Sequence, residues 1–435
     1  MTVRQGSRFT LLAMSLGFAV VQLDVSVVNV AIRPIGDALG GGVSALQWIV
    51  SAYTIMFAGF ILSAGALGDR IGARRVFVAG FAVFTAASAA CGLAPSLGVL
   101  IGARALQGIG AAALVPCSLI LLNHAYEDAQ ERGRAVGLWA AGASIGLSGG
   151  PLVGGALIAT LGWRAIFFIN VPIGAFGIWL TLRCAQETSR SPEHGVDLPG
   201  QVAAVIALAT LAAATIEGLP PGFAVAGVAL VAFLRIEARS AQPMLPLGLF
   251  RRRTFSAAAA IGLVLNVAFY GLIFVLSLFF QRGQGRSPLE AGLAFAPMTG
   301  VVLATNIAAG RLAAIVGPRR VIAGGAMLAA AACAMLLGVD RGTSYAAMVV
   351  PLVVIGGSVG LIVPPMTSEL LGSVERSRSG VASGTLNTMR QTGSVIGVAL
   401  YGSLLGAGVV GGLHTALAIS LALLLTTAAL ALGMD

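Results

Sequence analysis

Asp24 stands in the run LDVSVVNVA (23 to 31), inside an otherwise apolar stretch from Phe9 to Ile32. A carboxylate near the middle of a bilayer costs on the order of a few kcal/mol, so such a residue faces a protein interior and acts there. The chemistry open to it is proton exchange. Protonated it is neutral, deprotonated it is negative, and a proton can compete with a cationic or hydrogen-bonding molecule for it. A second charge at the same depth, Arg104, lies in LIGARALQGIGA (100 to 111) beside Gln107, Gly108 and Gly110. Its guanidinium must find acceptors inside the protein. Two roles fit it equally: holding helices together, or sitting near a proton pathway and tuning a carboxylate.

No nucleophile with a base, metal cluster or phosphate loop accompanies these charges, so the sequence does not read as an enzyme and no cofactor or metal is expected. Cys91, Cys117, Cys184 and Cys333 fall in or at the ends of apolar segments and read as free thiols.

The elements that must position Asp24 and Arg104 are membrane helices. Hydrophobic residues make up 57% of the 435 and charged ones 10%, against about 25% charged in a soluble domain. A crossing needs about 20 apolar residues. Fourteen stretches qualify: 9 to 32, 46 to 67, 76 to 93, 97 to 122, 135 to 161, 165 to 182, 198 to 216, 222 to 236, 255 to 280, 289 to 313, 319 to 338, 346 to 370, 380 to 405 and 413 to 432. The eighth is the shortest. The first carries no cleavage pattern and reads as a span.

The net charge of +10 comes from Arg alone, with no Lys. With the N-terminus inside, most arginines fall in inside segments, among them Arg70, Arg74, Arg75, Arg132, Arg134, Arg190, Arg251, Arg252, Arg253, Arg319, Arg320, Arg376 and Arg378. The outside loops hold Arg33, Arg164, Arg282, Arg286 and Arg341. This asymmetry satisfies the positive-inside rule and places both termini in the cytoplasm. Losing one span would send the triple arginine at 251 to 253 outside, which argues for fourteen.

GALGDRIGARRVFVAG (65 to 80) aligns with GRLAAIVGPRRVIAGG (310 to 325), pairing Gly65 with Gly310, Gly72 with Gly317 and the two Arg pairs with one another. The first copy follows span 2 and the second follows span 10. Spans 7 and 8 are therefore an insert between two six-helix halves. The organisation expected is an all-α membrane protein: a first bundle over 1–190, an inserted two-helix hairpin with its linkers over 191–250, and a second bundle over 251–435. Parallel repeats with a site between them are a transporter architecture.

In the first loop copy Gly65 and Gly72 permit a tight reversal of about eight residues. Asp69 is suited to a helix N-terminus, and Arg70, Arg74 and Arg75 to carboxylates or helix C-termini. Span 5 holds Gly146, Gly150, Pro151, Gly154 and Gly155; small residues four apart let helices approach, and the proline bends the helix. Asn266 and Asn306 line a cavity or bridge helices, two readings of equal standing. His124 and His414 read as solvated interfacial residues. Trp48, Tyr53, Phe269 and Tyr270 suit flat lipophilic molecules, in competition with interface anchoring and core packing. Asn29, Gln107, Asn387, Arg390 and Gln391 complete the candidate cavity.

LDVSVVNVA, GALGDRIGARR, LIGARALQGIGA and GASIGLSGGPLVGG (142 to 155), with WRAIFFINVPIG (163 to 174) and NTMRQTGSVIGVA (387 to 399), resemble the signatures of the fourteen-span drug/proton antiporter family of the major facilitator superfamily. The resemblance implies a seal and bend at Gly150 and Pro151, a conformational gate at Asp69 and Arg70, and a functional carboxylate at Asp24. It departs from the pattern at Ala314, which stands opposite Asp69. No further acid is clear in later spans; Glu217 and Glu369 lie near span ends. The implied protein is a proton-coupled exporter of small organic molecules in the inner membrane, working as a monomer and binding no nucleic acid. Alternatives are a proton-coupled importer or facilitator, and a non-transporting membrane receptor.

Overall fold

A computed structural model describes residues 3–126, 128–188, 197–240, 243, 245, 247–375 and 379–434. Arg190, Arg376, Arg378 and the boundary expected at 190–191 lie outside the described residues. Every regular element among those described is a helix. In hydrocarbon each backbone N–H and C=O must be satisfied within the segment, and a helix does this alone.

The first group comprises α1 (Val3–Leu39), α2 (Val43–Ile71), α3 (Ala73–Leu93), α4 (Leu97–Ala125), α5 (Ala129–Leu161), α6 (Ala165–Phe168) and α7 (Asn170–Cys184). A hairpin follows, α8 (Leu198–Ile216) and α9 (Pro220–Arg239). The last group comprises α10 (Arg253–Leu278), α11 (Pro288–Val316), α12 (Pro318–Leu336), α13 (Tyr345–Gly372), α14 (Ser379–Ser403) and α15 (Val409–Leu432). The short α6 and α7 together make one crossing. Among the described residues, thirteen crossings are long and apolar enough to span a membrane. The fourteenth, α14, is 25 residues long and carries Asn387, Arg390 and Gln391 mid-helix, which makes it less apolar. The eighth span is fuller than its apolar core, since α9 runs 20 residues.

The two groups have the same neighbours. In the first, α1 packs on α5, α2 on α4, and α3 on α4 and α7. In the second, α10 packs on α14, α11 on α13, and α12 on α13 and α15. The groups meet through α2 against α14 and α5 against α11. Hydrogen bonds between them gather toward the end opposite the arginine-rich loops: Arg33 to the Gln281 carbonyl, Ser277 to the Asn29 carbonyl at 2.5 Å, and Gln47 to the Val398 and Ala399 carbonyls at 3.0 and 2.7 Å. The hairpin lies at the side, where α8 packs on α2 and α14 while α9 packs on α8.

The loop read as eight residues long is tighter than that. Helix α2 ends at Ile71 and α3 begins at Ala73, so the reversal is Gly72 alone at φ 107°, a backbone region open to glycine. Its counterpart Gly317, between α11 and α12, has φ 91°.

Candidate functional site

Asp24, on α1, is fully buried, and so are Arg104 and Gln107 on α4. Arg104 donates to Asp24 Oδ2, to Gln107 Oε1 at 2.7 Å and through Nε to the Ile49 carbonyl at 3.2 Å. Gln107 Nε2 donates to Asp24 Oδ1 at 2.8 Å, and Asn170 Nδ2, at the start of α7, donates to the same oxygen at 3.0 Å. Ser88 Oγ on α3 accepts from Gln107 at 2.8 Å. The guanidinium also lies 4.2 Å from the centre of the Tyr53 ring on α2. Five helices of the first group therefore converge on one ion pair.

This geometry decides what a proton can do here. Three donors from three residues hold the carboxylate, and a buried pair stripped of one partner leaves an uncompensated charge costing about 3–5 kcal/mol. Neutralising Asp24 would leave Arg104 without its counter-charge, with Gln107 Oε1 and the Ile49 carbonyl as its remaining acceptors. Of the two roles open to Arg104 in sequence, the structure shows the tie between helices: the residue joins α4 to α1 and α2 and is the counter-ion of Asp24. Asn170 and Ser88 were not singled out by sequence reasoning. Asn170 had a signal, an amide inside the apolar run FFINVPIG; Ser88 had none.

The glycines of α5 act against α1 and α11. A β-carbon on Gly146 would overlap the Ala19 carbonyl, one on Gly150 the Ser26 hydroxyl, and one on Gly154 the Val27 side chain. Gly155 faces the backbone of Leu289, and Gly292 of α11 sits against the Pro151 carbonyl. Ser148 and Thr299 exchange hydroxyl-to-carbonyl bonds of 2.7 and 3.1 Å across the same seam. The helix that carries Asp24 is thus locked to α5, and α5 to the other half.

Between the halves is a narrow cavity, about 20 Å³ or room for about one water, lined by Ser26, Asn29, Pro151, Phe269, Tyr270 and Thr299 among others. The Tyr270 hydroxyl lies within reach of Gln22 of α1 and of Arg390. Asn387 and Asn266 bond back into their own helices, at 3.1 and 2.6 Å. Asn306 Oδ1 is buried without a partner, and Gln391 is half-buried.

Three residues expected at the cavity lie elsewhere. Trp48 points from α2 toward the hairpin, where its indole donates to Glu217 at 2.9 Å and its ring joins Val205, Leu208 and Ala209. Tyr53 is buried within the first half against Arg104, and Gln107 belongs to the ion-pair network. The cause is rotation about the helix axis: on helices apolar all round, residue type does not set which face meets the cavity. His414, expected in solvent, is hydrogen-bonded through Nε2 to the Val339 carbonyl at 2.7 Å.

The loop after α2 is tied down by a segment that sequence reasoning missed. Glu187 accepts from the Arg74 backbone N–H at 3.0 Å and lies 3.7 Å from Arg75 Nε. Thr188 Oγ1 accepts from the Ala73 N–H at 3.0 Å, and Arg74 donates to the Leu182 carbonyl at 2.6 Å. Gly72 leaves room for this acid, since a β-carbon there would sit 2.5 Å from the Glu187 carboxyl carbon. Asp69 and Arg70 occupy the last turn of α2, and Gly65 faces Pro116 at 3.3 Å.

A family profile described as Major Facilitator Superfamily matches residues 14–398. A protein named multidrug resistance protein Stp, of Mycobacterium tuberculosis, is 37% identical over 407 residues, 92% of this chain and 76% of that one. The methylenomycin A resistance protein of Streptomyces coelicolor is 37% identical over 403 residues, 90% of this chain and 84% of that one. Among solved structures, a bacterial homolog of the human lysosomal transporter Spinster, inward-facing and unoccupied, superimposes with a TM-score of 0.69. That pair shares 17% identity over 98% of this chain and 96% of the other, a likeness of fold.

Proposed function

The chain belongs to the Major Facilitator Superfamily, and on that premise we propose that it exports drug-like or antibiotic small molecules in exchange for protons, by alternating access. It works as a monomer in the cytoplasmic membrane with both termini inside. The names of its relatives support the export of toxic compounds. The observation that carries proton coupling is the Asp24–Arg104 pair. Every other carboxylate among the described residues lies in a loop, at a cap or within the first or last turn of a helix, whereas Asp24 is buried mid-helix.

Coupling works through α1. With Asp24 charged, Arg104, Gln107 and Asn170 hold α1 against α4 and α7. Protonation removes the charge that Arg104 balances and frees α1 to shift. Because α1 is locked to α5 through Gly146, Gly150 and Gly154, and α5 to α11, that shift reaches the seam between the halves. Packed interfaces of this kind are bistable, so a small change at one site selects between whole arrangements. Asp69, Arg70 and the tethered Gly72 turn regulate opening at the arginine-rich end.

The test has two arms. In an efflux-deficient host, expression raises the inhibitory concentration of at least one compound in a drug panel. In inverted vesicles, an imposed pH gradient drives uptake of that compound. No change across the panel together with no gradient-driven uptake would sink the reading.

A further inference from the structure

Asp24 is paired with Arg104 inside the first half, whereas the charge within reach of Tyr270, which lines the cavity between the halves, is positive. Arg390 lies at the twelfth position of the 25 in α14, in the middle of the span. Its aliphatic stem passes over Gly262 of α10, where a β-carbon would come within 3.3 Å of Cγ. Its Nε is buried with no hydrogen-bond partner, and no carboxylate among the described residues pairs with it. Its neighbour is Tyr270, which lines the cavity between the halves and lies within reach of Gln22 of α1. These are donor groups, and an acceptor is missing.

An arginine at bilayer depth with no counter-ion is costly, and such residues mark substrate or ion pathways. A guanidinium is a planar fork of donors matched to carboxylate or phosphate oxygens. We propose that Arg390 is the counter-charge for an anionic group, a carboxylate or equivalent oxyanion, on the transported molecule, with the Tyr270 hydroxyl as a second donor. This deepens the export reading and rests on it: the acid and the base of the molecule are divided, with Asp24 in one half taking the proton and Arg390 in the other taking the substrate. Gln22 and Asp24 lie two residues apart on α1, so the helix that takes the proton also borders the anion's second donor.

Two dyes separate the possibilities. Rhodamine 110 carries a free carboxylate, and rhodamine 123 is the same ring system with that carboxylate capped as a methyl ester. In inverted vesicles with a fixed pH gradient, the wild-type protein takes up the acid with a kcat/KM about tenfold or more above the ester, as expected for one charge-assisted contact. Arg390→Gln brings the two within about twofold by slowing the acid while leaving the ester unchanged. Arg390→Lys, which keeps the charge on a more hydrated head, retains a reduced preference for the acid and serves where the Gln variant fails to fold. Equal uptake of both dyes by the wild type overturns the inference and leaves export standing. Equal slowing of both dyes by Arg390→Gln also overturns it, because the arginine then answers to a group of the protein itself. Uptake of neither dye, in a protein that confers no resistance either, removes the export reading and this inference with it.

Discussion

In the first half Asp24, Arg104 and Gln107 join α1 to α4; the corresponding positions on α10 and α13 of the second half hold Ala268, Leu352 and Ile355. The correspondence follows from close glycine contacts. Gly146 lies against the Ala19 carbonyl and Gly393 against the Leu263 carbonyl, which places α1 and α10 at an offset of 244 (263 − 19). Gly108 lies against Tyr53 and Gly356 against Met298, which places α4 and α13 at 248 (356 − 108). Asp24 then falls on Ala268, Arg104 on Leu352 and Gln107 on Ile355, all of them buried. The same helix plan thus has buried apolar residues at these positions in one half and an ion pair in the other. Replacing a buried ion pair by apolar residues is often neutral or stabilising. The polar cluster is therefore not what the fold requires, and its presence supports the proposal that the first half takes the proton.

The largest effect expected from breaking this asymmetry is at Asp24 itself. Asp24→Asn abolishes uphill accumulation in inverted vesicles under either an imposed pH gradient or an imposed potential, while downhill flux persists. Uphill accumulation by that variant would place the proton site elsewhere, with Glu217 or Glu369 the next candidates. Stability gives the companion measurement. Arg104→Leu alone leaves Asp24 buried and unpaired and lowers stability by about 3–5 kcal/mol, whereas adding Asp24→Ala, which copies the second half, recovers most of the loss without restoring transport. Thermal unfolding of the purified single and double variants decides it; additive losses would show that the pair is not acting as a unit.

The two loop copies supply the next contrast. Ala314 stands where the first copy has Asp69, and Glu187 tethers the first copy by way of Gly72. Asp69→Ala makes the first loop like the second. Turnover should fall about tenfold, equivalent to 1.4 kcal/mol, with substrate binding unchanged. Wild-type turnover in that variant would remove the gate.

A smaller effect separates two glycines of α5. A β-carbon on Gly146 would meet the Ala19 carbonyl, which cannot move aside; one on Gly150 would meet the Ser26 hydroxyl, which can rotate, and then Ser26 Cβ at 2.8 Å. Gly146→Ala should therefore cost about 1–3 kcal/mol of overpacking and Gly150→Ala less. Transport and unfolding measured on both variants test the order, and the reverse order would show that the seam is set by Gly150 and Pro151.

The smallest effect belongs to the hairpin. Deleting residues 197–237 and joining the flanks with a flexible linker should leave the twelve remaining crossings inserted in the same orientation. Lipid can replace the apolar contacts that α8 makes with α2 and α14. A cysteine-accessibility map of the truncated chain checks this, and an inverted second half would show the hairpin to be part of the core.

Much of this architecture was legible in the residues. Apolar runs of about 20 residues separated by arginine-bearing turns dictate helices, because lipid offers the backbone no other partner. The repeated glycine-and-arginine loop carried the two halves and the insert. Asp24 and Arg104 stood out for the reason that a charge in oil is costly wherever it points. Only the tertiary structure decided the partners. It brought Asn170 and Ser88 to Asp24, set Glu187 against the Gly72 turn, turned Trp48 toward the hairpin, enclosed Tyr53 within the first half, and left Arg390 without a counter-ion. A helix that is apolar all round has no amphipathic face to fix its rotation, so the angle at which each side chain meets its neighbours is set by close packing between helices distant in sequence.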